Sequence, residues 1–124
     1  MAYDFYDLDT WKVAHSFVMD IYELSKCLPN DERFGLISQI RRAAVSITSN
    51  IAEGHSRFYF KDKVRFYYYA RASAAEVLSQ LFIFRDLGYL NESEMTKMLE
   101  KCNRVRMLIN GMIRAIETEN QNEV

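Results

Sequence analysis

Apolar side chains recur along the chain at steps of three and four residues, the spacing that lines one face of a helix. Trp11, Ala14, Phe17, Val18, Ile21, Leu24 and Leu28 predict a first helix over about Asp9–Leu28, with Asp9 or Thr10 as its cap and Pro29 as its end. Leu36, Ile37, Ile40, Ala44, Ile47 and Ile51 predict a second over about Phe34–Glu53, with Gly54 as a left-handed stop. A fourth helix, from Asn91 to about Thr118, carries Met95, Met98, Leu99, Cys102, Val105, Leu108, Ile109, Met112, Ile113 and Ile116 on one stripe. Asn91 and Glu94 resemble a capping box at its start, and Gln121–Val124 read as a tail.

The third helix, about Phe60–Leu87 and closed by Gly88, has two apolar faces. Phe60, Val64, Tyr67, Ala74, Ala75, Leu78 and Phe82 form one, and Phe66, Ala70, Val77, Leu81 and Phe84 the other. A helix apolar most of the way round is covered on more than one side. A second copy of the chain would serve as the extra cover. The connections between helices are short, so neighbours should run antiparallel. The pattern predicts an all-α, up-down-up-down four-helix bundle in one domain, residues 1–124.

Composition supports few turns and a real core, with 4 Gly, 1 Pro and 49% hydrophobic residues in 124. Cys27 and Cys102 lie among apolar residues at helical spacing and outside any C-x-x-C pair, which predicts two reduced core thiols. The acidic start, Met1 to Asp9, lacks the basic region of a signal peptide. No apolar run approaches the ~20 residues of a membrane span, so a cytoplasmic protein with no membrane partner is expected. The net charge of −1 hides an uneven distribution. Residues 1–32 carry 2 basic and 7 acidic side chains, residues 33–71 carry 8 and 2, and residues 72–124 carry 6 and 8. The middle third is strongly basic.

The second helix carries a recognisable block: Gly35-Leu-Ile-Ser-Gln-Ile-Arg-Arg-Ala-Ala-Val-Ser-Ile-Thr-Ser-Asn-Ile-Ala-Glu-Gly54. It resembles the signature of the four-helix bundle proteins encoded in intervening sequences of bacterial 23S rRNA genes. Trp11, Ala14 and Ile21-Tyr22 resemble that family's first helix, and Leu28-Pro29 its first turn. Ser73, Ala74, Glu76 and Leu78 resemble its third helix, and Asp86-Leu-Gly-Tyr-Leu90 its third turn. The resemblance implies a cyclic homopentamer without established enzymatic activity. It also implies a fold similar to the accessory variability protein of diversity-generating retroelements, which engages a reverse transcriptase and nucleic acid. Self-association is asked for independently by the third helix; the number five comes only from the resemblance.

Two constellations stand out. On the second helix Gln39, Arg42, Ser46, Asn50 and Glu53 share a polar face, matched on the third by Ser73, Glu76 and Gln80. They predict a partly buried structural network with Arg42 paired to Glu76. The segment Arg57 to Arg71 mixes five basic with seven aromatic side chains. Cations neutralise phosphates and aromatic rings stack on unpaired bases. Arg41, Arg57, Lys61, Lys63, Arg65 and Arg71, with Tyr69 as stacker, are the candidate nucleic-acid contacts. Phe58, Tyr59 and Tyr68 are further rings that core packing leaves available.

His15 and His55 belong to no metal-ligand pattern, so no metal is expected. No activated nucleophile and no phosphate-cradling glycine loop is apparent, so neither an enzyme nor a cofactor is expected. The sequence reads as a non-enzymatic homo-oligomeric scaffold that contacts RNA or DNA, with or without a protein partner. The alternative is a protein–protein adaptor with no direct nucleic-acid contact.

Overall fold

The computed structural model describes residues 3–122. Four helices dominate: α1 (Asp9–Ser25), α2 (Ser38–Ser56), α3 (Phe60–Asp86) and α4 (Glu92–Asn122), with no strand among the described residues. Of the expected tail, Gln121 and Asn122 fall in α4, whereas Glu123 and Val124 lie outside the described residues.

Neither Asp9 nor Thr10 caps α1. The capping box lies one turn earlier, at a 3-10 turn over Phe5–Asp7. There the Phe5 N–H donates to the Asp4 carboxylate (2.7 Å) and the Asp4 N–H donates to that of Asp7 (3.0 Å). Leu8 then leads into α1 without a side-chain cap. The helix stops at Ser25, before Pro29 requires it, and this leaves Cys27 exposed. Only Cys102 is a core thiol, and burial pushes its pKa up to about 11.

Between α1 and α2 the chain makes a 3-10 turn at Asn30–Glu32 and a π-helical segment over Arg33–Ile37. Gly35 departs from helical geometry (φ −108°, ψ −106°), so the regular helix begins at Ser38 rather than near Phe34. Gly54 is not the stop. Helix α2 runs through it to Ser56, and its φ is not positive. What makes glycine fit there is closeness: a Cβ at position 54 would lie 2.5 Å from Tyr67 Cε1.

The turn from α3 to α4 follows the expected chemistry. Gly88 has φ +82°. The Tyr89 N–H donates to the Phe84 carbonyl (2.8 Å) and the Gly88 N–H to that of Arg85 (3.0 Å). This is the Schellman arrangement, with Tyr89 edge-on to the Phe84 ring at 6.3 Å. Asn91 and Glu94 cap α4 reciprocally, at 3.1 and 2.8 Å.

The core is built by Ala14, Phe17 and Ile21 of α1, Ile40, Ala44, Ile47 and Ile51 of α2, Ala70, Ala74, Val77, Leu81 and Phe84 of α3, and Cys102, Val105 and Ile109 of α4. Each of the larger aliphatic residues contributes roughly 1.5–3 kcal/mol by leaving water. The two apolar faces expected of α3 are organised differently. Its buried stripe draws on both, and α3 packs against α2 on one flank and α4 on the other. Phe60, Val64 and Leu78 are half-buried, and Ala72, Ala75, Phe82 and Ile83 are exposed. Much of the wide apolar circumference is thus covered within one chain. Between α2 and α3 the contacts run in opposite order: Ser46 meets Ser73, whereas Gly54 lies against Tyr67.

Candidate nucleic-acid interface

The basic segment is organised around the corner where α2 passes into α3. Arg57 leaves α2 in an extended conformation, its N–H still donating to the Gly54 carbonyl (3.2 Å). The Asp62 and Lys63 N–H groups then donate to the Tyr59 carbonyl (3.1 and 3.0 Å), which opens α3. Phe58 and Tyr59 lie on the connection between the two helices. They are 85% and 68% exposed, edge to face at 5.0 Å. Beside them, the Arg57 and Arg65 guanidinium groups lie over the Phe66 ring, at 4.6 and 5.4 Å from its centroid. Tyr69 meets the same ring edge-on at 5.7 Å and is itself exposed.

The charges at this corner are only loosely engaged. Arg57 pairs with Glu53 (3.2 Å) and Arg65 with Asp62 (3.7 Å), both on exposed side chains. Such exposed pairs contribute about 0–1 kcal/mol. Lys61 is exposed and has no ion-pair or hydrogen-bond partner among the described residues. Along the outer side of α3, Lys61 and Arg65 stand one helical turn apart. Between this turn of α3 and the late part of α4 opens a cleft of about 240 Å³, lined by Phe60, Lys61, Val64, Ile116 and Glu117. Glu117 accepts a hydrogen bond from the Tyr68 hydroxyl, which raises the tyrosine pKa.

Three of the expected contacts are engaged elsewhere. The Lys63 ammonium donates to the carbonyls of His55 (2.7 Å) and Gly54 (3.5 Å), so it caps the C-terminus of α2. Its partial burial lowers its pKa. Arg41 lies on the α1 side of the bundle. Its Nε donates to Ser25 Oγ (2.7 Å) and its guanidinium covers the Tyr22 ring at 4.7 Å. Arg71 stands over Tyr68 (5.1 Å) and donates to Asn110 Oδ1 (3.1 Å), at the seam with α4.

The model of the 23S rRNA-intervening sequence protein family matches residues 6–111. The chain belongs to that family. A crystal structure of a protein of unknown function from the S23 ribosomal protein family of Bacteroides thetaiotaomicron has a similar fold. Its TM-score is 0.78 at 22% identity, covering 84% of this chain and 97% of that one. At that identity the likeness concerns the fold alone. No curated protein matches the chain.

In this member of the 23S rRNA-intervening sequence family the expected polar network is smaller than its spacing predicts. Ser73 Oγ donates to Ser46 Oγ (2.9 Å), and Asn50 Nδ2 donates to the carbonyl and hydroxyl of Ser46 (2.9 and 3.0 Å). Gln39, Arg42, Glu53 and Glu76 are exposed. No ion pair joins Arg42 to Glu76 among the described residues. One hundred degrees per residue explains this: the seam facing α3 passes through 46 and 50, and 42 has rotated toward solvent. Gln80, by contrast, is buried with its Oε1 unpartnered.

No group of three or more His, Cys, Asp or Glu is placed to hold a metal ion among the described residues. His15 stacks on Trp11 (4.7 Å, 17°), and His55 Nε2 stands 3.5 Å from the Tyr3 carbonyl. No described helix is long and apolar enough to cross a membrane. Helical spacing gives little sign of the exposed Phe58 and Tyr59, and none of Glu117. An aromatic pair between two helices is itself the signal for the first, since a short connection offers no core to enter.

Proposed function

We propose that this protein is a non-catalytic, self-associating cytoplasmic scaffold whose α2–α3 corner contacts single-stranded RNA. The observation that carries the reading is the exposure of Phe58 and Tyr59 beside Arg57, Lys61 and Arg65. Exposed aromatic rings cost free energy in water, and next to weakly paired cations they match the two faces of an unpaired nucleotide, base and phosphate. Recognition of this kind is electrostatic and tolerant of sequence. The opposed order of helix contacts supports an antiparallel up-down-up-down bundle. The exposed Ala72, Ala75, Phe82 and Ile83 on α3 support self-association, for which the family resemblance implies a ring of five copies. A ring would repeat the corner and strengthen weak contacts by avidity.

Fluorescence anisotropy with a short single-stranded RNA tests the reading. Three phosphate contacts give a slope of about −2 in log affinity against log salt, roughly a twentyfold loss between about 50 and 200 mM. Absence of binding at the lower salt would overturn it. A second reading, an adaptor for another protein, is favoured by Phe34, 89% exposed before α2. Under that reading the corner would serve only solubility.

A further inference from the structure

We propose that the cleft between the first turns of α3 and the late part of α4 is a subsite for one unpaired guanine of the bound RNA. The inference rests on the RNA-binding reading above and adds to it a base preference. At about 240 Å³ the cleft lies below the ~300–1,000 Å³ typical of sites for drug-sized ligands, a size suited to a single planar group. Its walls are apolar: Phe60, Val64 and Ile116, each half-buried, offer a surface on which a base can lie. Its rim carries one charge of each sign. Lys61, which has no ion-pair or hydrogen-bond partner among the described residues, lines the cleft two residues after Tyr59 and offers a cation for a backbone phosphate.

Glu117 is the informative member. A carboxylate beside a phosphate-binding surface repels the ligand unless it makes a specific contact. Here the Tyr68 hydroxyl fixes it, donating to one carboxylate oxygen. A carboxylate has about four acceptor sites, so one such bond leaves acceptor capacity on a side chain that lines the cleft. An ionised carboxylate only accepts. Among the RNA bases, guanine alone presents two adjacent donors, N1–H and the N2 amino group, on its Watson–Crick edge. Adenine and cytosine set an acceptor beside their single amino group, and uracil flanks one N–H with two carbonyls. An acceptor pair in an apolar cleft selects guanine on these grounds.

The test uses the full chain and labelled octauridine, compared with the same oligomer carrying one central G, A or C, by anisotropy at low salt. The expected result is that G binds about tenfold more tightly than A or C, the discrimination of one bidentate contact. Glu117→Gln, at an exposed position, keeps the fold by circular dichroism and should lose the preference for G over A. It should bind octauridine at least as tightly, since a negative charge is gone. Tyr68→Phe should reduce the preference without abolishing octauridine binding. If octauridine binds but G adds nothing, the subsite is wrong and the corner reading survives. A preference for G that persists in Glu117→Gln also overturns the subsite. If no oligomer binds, both readings fall.

Discussion

Gly54 and Tyr67 meet so closely that a methyl group on the glycine would stand 2.5 Å from the tyrosine ring, and 3.2 Å from the Lys63 carbonyl. The contact draws the end of α2 onto the start of α3. Gly54→Ala tests it. Helix propensity alone favours alanine by about 1 kcal/mol in a helix interior. The clash reverses the sign, and urea unfolding should show a loss of about 1–3 kcal/mol. A stabilised variant would mean that the close approach does not exist.

Tyr67 also makes the protein sensitive to alkali. Burial pushes its pKa up to about 12, from an ordinary 10. Its hydroxyl therefore stays protonated in the folded state while the unfolded chain ionises. Stability from this group is complete below pH 10 and is lost as pH rises from 10 toward 12. Denaturant midpoints for the native chain and Tyr67→Phe should diverge across that window, with the phenylalanine variant losing less. Parallel curves would contradict the assignment.

Much of the bundle was legible in the sequence, because burial imposes a period. Ile40, Ala44, Ile47 and Ile51 announce their face, and Gly88 and Asn91 their turn. What the sequence conceals depends on a partner remote in the chain. A glycine near a helix end fits both a left-handed stop and a close approach, and only Tyr67 decides between them. Lysines 61 and 63 look alike in a basic run, yet one faces solvent and the other caps α2. The polar stripe on α2 was visible as far as Ser46 and Asn50. Arg42 lay beyond the seam because three- and four-residue steps drift around the helix. Glu117 was unreadable because its meaning comes from Tyr68, 49 residues earlier.

That difference between the two lysines yields a paired prediction. Lys61→Met should weaken RNA binding severalfold and lower the salt slope by about 0.7 while leaving stability within about 0.5 kcal/mol. Lys63→Met removes hydrogen bonds to the last carbonyls of α2 and should cost about 1 kcal/mol, with little effect on the salt slope. Affinity and unfolding measured on both variants check the assignment, and reversed roles would refute it.

The α2–α3 seam gives a further contrast. Glu76→Ala, at an exposed position without an ion-pair partner among the described residues, should change stability by less than about 0.5 kcal/mol. Gln80→Leu replaces a buried amide whose oxygen has no partner, and should stabilise by about 1 kcal/mol. Thermal unfolding of the two variants distinguishes them. A loss above about 2 kcal/mol for Glu76→Ala would instead restore the buried Arg42–Glu76 pair.

Photocrosslinking most directly tests the central claim, that RNA engages the α2–α3 corner. Single-stranded RNA bound at low salt is irradiated, and the adducted peptides are identified by mass spectrometry. The account predicts adducts on Phe58, Tyr59 and Tyr69, diminished when Arg57, Lys61 and Arg65 are replaced together by glutamate. Adducts confined to other surfaces, such as Phe34 or Met107, or no adducts at all, would contradict it.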